Sequence, residues 1–281
     1  MRRRKFSWST VYLIFVFILL YIPIFYLIFY SFNQGGNMST FTGFTWEHYQ
    51  SLFSDSRLIS IVVQTFVLAF LSALLATIIG TFGAMGIYYT RKRNSRNVLL
   101  GLNNILMVSP DVIIGASFLI LVTMLGGVLK NFQLGFVSVL LSHIAFSIPI
   151  VVLMVLPKLK EMNDSMIDAA RDLGANNFQV LSNIILPFLT PGIIAGYFMA
   201  FTYSLDDFAV TFFVTGNGFT TLSVEIYSRA RQGISLEINA LSTLVFIFSL
   251  LLVVGYYFIS RDTSKKARKR KRDFEEVAIL K

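Results

Sequence analysis

Six long apolar runs constrain the fold of this chain more than any other feature. A helix needs roughly 20 apolar residues to cross a bilayer, because each residue adds only about 1.5 Å of length. Each run meets that length, and only 14% of all residues are charged. The sequence therefore predicts an all-α integral membrane protein with six transmembrane helices. The runs lie near residues 11–32, 58–89, 98–122, 134–156, 187–210 and 239–260.

The distribution of basic residues predicts the orientation of these helices. Most of the 24 Lys and Arg residues lie at the N-terminus, after the second and fourth runs, and in the tail at about 261–281. Under the positive-inside rule, both termini and the segment at about 157–186 are cytoplasmic. Attraction to anionic membrane lipid explains the basic tail better than nucleic-acid binding does. Since no repeat or linker divides the sequence, we expect one transmembrane domain over residues 1–281.

The sequence lacks the motifs of an enzyme or an ATPase. It has no G-x-x-x-x-G-K-[ST] loop, and its two histidines, His48 and His143, have no partners at metal-ligand spacing. We expect His143, inside the fourth run, to be a packing residue or an interhelical hydrogen-bond partner. A transporter, a channel or a membrane scaffold is favoured over an enzyme such as a lipid-modifying one, which would need a polar catalytic cluster.

A polar segment at 168–187 separates two apolar runs. It contains two short helical patterns on either side of Gly174, which is placed as a C-cap because glycine tolerates positive φ. A new helix is predicted to begin at Pro187. The physical pattern alone is equally typical of an interfacial amphipathic helix and of an element gripped by a partner. The second pattern carries one apolar stripe: Phe178, Leu181 and Ile185.

This segment resembles the cytoplasmic loop of type I ABC-importer permeases. The loop pattern of that family is E-A-A, three residues, G, nine residues and I-x-L-P. Asp168 stands where the family has glutamate, which keeps the charge on a shorter stem. The other positions are in register: Ala169, Ala170, Gly174, Ile184, Leu186 and Pro187.

The resemblance implies a six-span permease that forms one half of a translocation pore in the bacterial cytoplasmic (inner) membrane. The loop would fold as a coupling helix that docks on a cytoplasmic ATPase. The implied partners are two ATP-binding subunits, a paralogous permease subunit and an extracytoplasmic substrate-binding protein. ATP and Mg²⁺ would be bound by the ATPase subunits, so no cofactor and no enzymatic activity are expected in this chain.

Four further segments look like those of the spermidine/putrescine permeases, and of the second permease subunit in particular. The likeness extends over nearly the whole chain, and the Ser-Pro-Asp and Leu-Asp-Asp segments carry most of the substrate signal. It implies uptake of polyamines. The segments are 108–113, 204–208, 213–216 and 238–243.

Acidic residues within the apolar runs are the candidate substrate contacts. Asp111 lies about 13 residues into the third run, roughly 20 Å deep, and Asp206 and Asp207 lie roughly 30 Å into the fifth. Acids at two depths would pass an ammonium group inward. Alternatively, Asp111 caps a helix broken at Pro110, and the pair marks only the end of a span. The polar neighbours of Asp207 on a helix favour it over Asp206 as the lumen-facing acid.

Two residues of the outer segments have open interpretations. Trp46 is either an interfacial anchor or a substrate contact through cation–π attraction. Glu225 is either a contact for the binding protein or a solvated acid.

The predicted function is ATP-driven uptake of polyamines by alternating access. A type I permease for another small solute, such as ferric iron or thiamine, is an alternative in the same class. An ATPase-independent channel or scaffold is the alternative from a different class.

Overall fold

The computed structural model describes residues 8–128, 133–233, 235–251 and 253–255, so the basic tail lies outside the described residues. Helices dominate this part of the chain, and one isolated antiparallel bridge joins Asn33 to Phe44. A five-residue π-helical turn, Leu181–Ile185, lies between α8 and α9. The helices are α1 (Trp8–Tyr30), α2 (Glu47–Ser54), α3 (Ser56–Tyr89), α4 (Arg93–Val108), α5 (Asp111–Val128), α6 (Phe136–Glu161), α7 (Ser165–Asp172), α8 (Asn177–Val180), α9 (Leu186–Asp206), α10 (Ala209–Val214), α11 (Leu222–Gln232) and α12 (Leu236–Gly255).

Six helical segments among the described residues are long and apolar enough to cross a membrane. This confirms the all-α fold and the number of spans. Most of the bounds agree with the apolar runs to within a few residues, and two segments differ for reasons given below. The segments are Thr10–Tyr30, Ser56–Tyr89, Asp111–Val128, Phe136–Glu161, Asn177–Asp206 and Leu236–Gly255.

The third run is not one helix, so the prediction of a continuous span over 98–122 was wrong. Helix α4 ends before Ser109, whose ψ of 136° is extended, and α5 begins at Asp111. The break follows from Pro110, because proline donates no backbone hydrogen bond and disfavours helical geometry at the residue before it. Asp111 therefore stands at the start of the spanning helix rather than in its middle.

An α-helix begins at Leu186 with Pro187 in its first turn, as predicted, but it continues directly from the preceding π-helical turn instead of starting a separate element. In the π-helical turn, the N–H of Leu186 bonds to the carbonyl of Leu181, five residues earlier. The wider turn accommodates the proline ring and its missing N–H without ending the helix. The helix ends at Asp206, because Asp207 has an extended ψ of 125°.

Contacts divide the chain into two compact units. Of the described residues, one unit comprises those within 8–60 and 225–253, and the other comprises those within 61–224 and 254–255. Each unit is described separately.

Helix α6 is the centre of the second unit. Val139, Val151, Val155 and Leu159 along it are fully buried. Glycines on neighbouring helices let the backbones approach closely: a Cβ at Gly192 of α9 would lie 2.9 Å from the carbonyl oxygen of Met154. Small residues at such contacts are typical of membrane helix packing, where van der Waals contact replaces the hydrophobic effect.

The first unit contains an exposed apolar helix and an ordered turn. Side chains on all sides of α1 are exposed within this chain, which suits contact with lipid or with another subunit. After it, the buried Asn33 amide donates to the carbonyls of Asn37 and Thr40, and its oxygen accepts from the N–H of Thr42. These bonds fix the turn that leads to α2.

The close α6–α9 contact predicts that Gly192→Ala destabilises the protein. The added methyl group meets the Met154 carbonyl at 2.9 Å, and overpacking of this kind costs about 1–3 kcal/mol. Gly86→Ala is the matched control, since its Cβ has open space within 4 Å. Thermal unfolding in detergent measures both, and equal stability of the two variants would contradict the packing described.

Candidate functional site

Two of the predicted acids meet near the end of α9. The Tyr203 hydroxyl donates a hydrogen bond to Asp111 Oδ1 at 3.0 Å, which joins the start of α5 to the last turn of α9. Asp206 follows Tyr203 by three residues, about 4.5 Å along a helix, and is exposed. The expectation that Asp111 and Asp206 lie at well-separated depths was therefore wrong. Together with Tyr203, these two acids form one polar cluster. We call the cluster of Asp111, Tyr203 and Asp206 the acidic end.

Asp207 is directed into the protein interior. Its side chain is only 5% exposed. Its carboxylate accepts bonds from the N–H of Val210 (3.3 Å), the N–H of Thr211 (2.8 Å) and the Thr211 hydroxyl (2.7 Å), and so caps α10. The preference for Asp207 as the accessible acid assumed a helix that continues to Thr211. Helix α9 instead ends at Asp206, the residue before Asp207. The preference was therefore wrong, and Asp206 is the exposed acid.

His143 of α6 is fully buried and joins three helices. Its Nδ1 lies 2.7 Å from the Ser204 hydroxyl and its Nε2 lies 2.8 Å from the Thr211 hydroxyl. Ser204 also bonds to Ser72 of α3 at 2.8 Å. The prediction of an interhelical hydrogen-bond role for His143 is confirmed.

The loop that the sequence predicts to be cytoplasmic folds as two short helices, α7 and α8, with a cap between them. Gly174 has a φ of +85°, its N–H bonds to the Arg171 carbonyl, and the N–H of Ala175 bonds to the Ala170 carbonyl. This pair of bonds is a Schellman cap. Asn176 and Gln179 then bond reciprocally through side chain and backbone to start α8. The predicted C-cap at Gly174 is confirmed.

The loop presents apolar side chains that are not buried by this chain. Met166 and Ala169 of α7 and the C-cap residue Leu173 are exposed at helical spacing, and Leu173 is 89% exposed. We call these three residues the loop surface. Phe178 is 75% exposed, so its assignment to one stripe with the buried Ile185 was wrong. The π-helical turn shifts the helical phase between these positions.

The remaining motif residues vary in exposure. Asp168, Gly174 and Pro187 are exposed, whereas Ala170, Ile184 and Leu186 are half-buried. The sequence pattern gave no signal for Leu173, since the family motif leaves that position open.

Trp46 lies in the first unit within an aromatic cluster. Its ring centroid is 5.0 Å from that of Phe32 and 5.5 Å from that of Phe44, both edge-on. The indole is 55% exposed, so a face remains accessible. Both predicted roles of Trp46 are compatible with this exposure.

Glu225, also in the first unit, is the centre of an ion-pair network. Its carboxylate accepts from Arg57 at 3.2 Å and from Arg229 Nε at 2.9 Å, and Arg229 also pairs with Asp55 at 2.8 Å. The Glu225 side chain is only 7% exposed, so the interpretation as a solvated acid was wrong. A polar cavity of about 410 Å³ beside the network is lined by residues that include Arg57 and Glu237.

Comparison with known proteins identifies the family. Residues 76–265 match the sequence profile of the binding-protein-dependent transport system inner membrane component. This chain belongs to that family. The permease is therefore a transport component of the inner membrane.

Characterised relatives cover nearly the whole permease. The Escherichia coli (strain K12) spermidine/putrescine transport system permease protein PotC is 39% identical over 250 residues, which are 89% of this chain and 92% of the relative. The Haemophilus influenzae protein of the same name is 36% identical over 92% of this chain and 98% of its own length. The E. coli putrescine transport system permease protein PotI is 32% identical over 93% of this chain and 94% of its own length.

Solved structures show that the permease has the type I ABC importer permease fold. A subunit of a bacterial ABC transporter involved in the import of alginate superimposes with a TM-score of 0.71 at 18% identity, over 91% of this chain and 94% of that one. A chain of the inward-facing MetNI methionine ABC transporter gives a TM-score of 0.60 at 19% identity, over 74% and 98% of the two chains.

The Asp55–Arg229 pair predicts a pH dependence of stability. The Arg229 guanidinium holds the pKa of Asp55 below its usual value. A lowered folded-state pKa contributes stability above the unfolded value, about 3.9, and that contribution is lost as the pH falls through the folded value. Asp55→Asn keeps the cap on the Leu58 N–H but removes the charge. Melting temperatures of the purified permease should differ between wild type and variant above about pH 5 and converge in more acidic buffer. A constant difference would contradict the pairing.

Proposed function

We propose that the permease is one half of the pore of an ATP-driven importer that moves polyamines such as spermidine and putrescine inward. The observation that supports this most strongly is the acidic end, where the exposed Asp206 and the Asp111–Tyr203 pair come together. Acids in spanning segments are costly and are retained where they face a polar path or a partner. The names of the relatives support the choice of substrate.

The chemistry of the acidic end suits an ammonium group. Carboxylates replace part of the water that an ammonium loses, through charge-assisted hydrogen bonds. The Tyr203 hydroxyl orients Asp111 and leaves its second carboxylate oxygen to accept from a substrate. The Tyr203 ring adds a π face.

Trp46, in the first unit, is proposed separately as a residue that contacts a cation through its exposed indole.

Transport would require movement driven by partner subunits. We propose that the complex contains two ATP-binding subunits, which hold ATP and Mg²⁺, and that one of them binds the loop surface and its flanking motif residues Asp168, Ala170 and Gly174. A paralogous permease would complete the pore, and an extracytoplasmic polyamine-binding protein would deliver the substrate. The basic-residue distribution supports cytoplasmic placement of both termini and of this loop.

Substitution of the acids tests the substrate path. Asp111→Asn and Asp206→Asn should each lower the kcat/KM of labelled spermidine uptake by about tenfold to a hundredfold, because each removes a charged hydrogen-bond acceptor. Uptake is measured in cells that express the permease with its partner subunits. Glu161→Gln is the control, since that exposed acid pairs only at the surface with Lys158.

Normal spermidine uptake by both acid variants would contradict the acidic path. Transport of ferric iron or thiamine in place of any polyamine would contradict the substrate assignment.

A further inference from the structure

The chain breaks its helical path between Asp206 and Ala209, close to the acidic end. A helix end leaves backbone N–H and C=O groups unpaired, and these groups are costly wherever water is scarce. Here the Asp207 carboxylate accepts hydrogen bonds from the N–H groups of Val210 and Thr211. The Ser223 hydroxyl donates to the Asp207 carbonyl at 2.5 Å. Three backbone groups at the break therefore have hydrogen-bond partners within the protein.

One side chain from α6 reaches both sides of this break. His143 contacts Ser204, before the break on α9, and Thr211, after it on α10. All three side chains are essentially inaccessible, at 0–1% exposure. The His143 ring thus fixes the separation of the two helix ends through two hydrogen bonds.

The hydrogen-bond directions follow from what each group can donate. The ionised carboxylate of Asp207 can only accept, so the Thr211 hydroxyl uses its proton on Asp207. Thr211 must then accept from Nε2–H of His143, and in the neutral ring Nδ1 accepts from the Ser204 hydroxyl. The chain of bonds from Ser204 to Asp207 is therefore directional, and His143 links its two halves.

The same network places both acids. Before the break, Ser204 fixes the turn of α9 that carries Tyr203 and Asp206. After the break, α10 packs against α5 at Gly115, where a Cβ would lie 2.8 Å from the Phe213 ring and 3.1 Å from Val210 Cα. Gly115 is about one turn after Asp111, so the position of α10 sets the position of Asp111.

We propose that His143 is a positioning residue for substrate: it holds the α9–α10 break so that Asp206 is exposed and Asp111 stays within reach of Tyr203. His143 does not contact the polyamine itself. This inference rests on the proposed function, because it assigns to Asp206 a role in cation binding.

A double-mutant cycle in uptake assays tests the inference. His143→Ala should raise the KM for spermidine about tenfold with a smaller effect on the maximal rate. In the Asp206→Asn background, the same change should have little further effect, because the site that His143 positions is already lost. His143→Gln, which supplies an amide donor and acceptor, should recover part of the affinity.

Ser142→Ala is the matched control, since Ser142 is a fully buried neighbour on α6 whose hydroxyl donates within its own helix to Val139. Co-purification with the ATPase subunits reports assembly of each variant. If His143→Ala does not assemble, Thr211→Val and Ser204→Ala each remove one arm of the network and enter the same cycle.

The outcomes separate the two proposals. Normal uptake by both Asp111→Asn and Asp206→Asn overturns the proposed acidic path and this inference with it, and normal uptake by Asp206→Asn alone overturns this inference but leaves the path through Asp111. A defect in Asp206→Asn, combined with a His143→Ala effect that is absent or equally large in both backgrounds, overturns the positioning role alone.

Discussion

The break in the helical chain after Asp206 is the constraint on which the candidate site depends. Within a bilayer, backbone groups freed by a break must find partners inside the protein. Asp207 meets this need by capping α10: its buried carboxylate accepts hydrogen bonds from the N–H groups of Val210 and Thr211. The adjacent acid, Asp206, remains exposed. Two neighbouring aspartates therefore have opposite environments: Asp207 caps a helix in the interior, and Asp206 is exposed.

The opposite end of the same helical segment carries the loop. The path from Asn177 to Asp206 is unbroken, and its 30 residues extend about 45 Å. At Gly192 and Gly196, the backbone of this helix packs directly against the backbone of α6. A displacement of the loop surface would therefore be transmitted along a stiff element to the acidic end. In the proposed function, this helix would connect the loop surface that the ATPase contacts to the acidic end that the substrate contacts.

Local features were predictable from the sequence and tertiary ones were not. The spans follow from apolar length, and the cap at Gly174 follows from its need for positive φ. Pro110 and Pro187 look alike in sequence, yet one ends a helix and the other follows a π-helical turn. The choice between Asp206 and Asp207 failed because it depended on where α9 ends, which the capping network decides.

The most direct test measures whether ATPase-driven movement of the loop surface changes the accessibility of the acidic end. The chain has no cysteine, so Thr202→Cys places a single thiol on an exposed position one turn before Asp206. In the reconstituted complex, nucleotide trapping should change its modification rate by an impermeant maleimide about tenfold, and Leu173→Asp should abolish that change. Mass spectrometry of this chain measures the rate. A rate that nucleotide leaves unchanged, or a change that survives Leu173→Asp, would contradict the account.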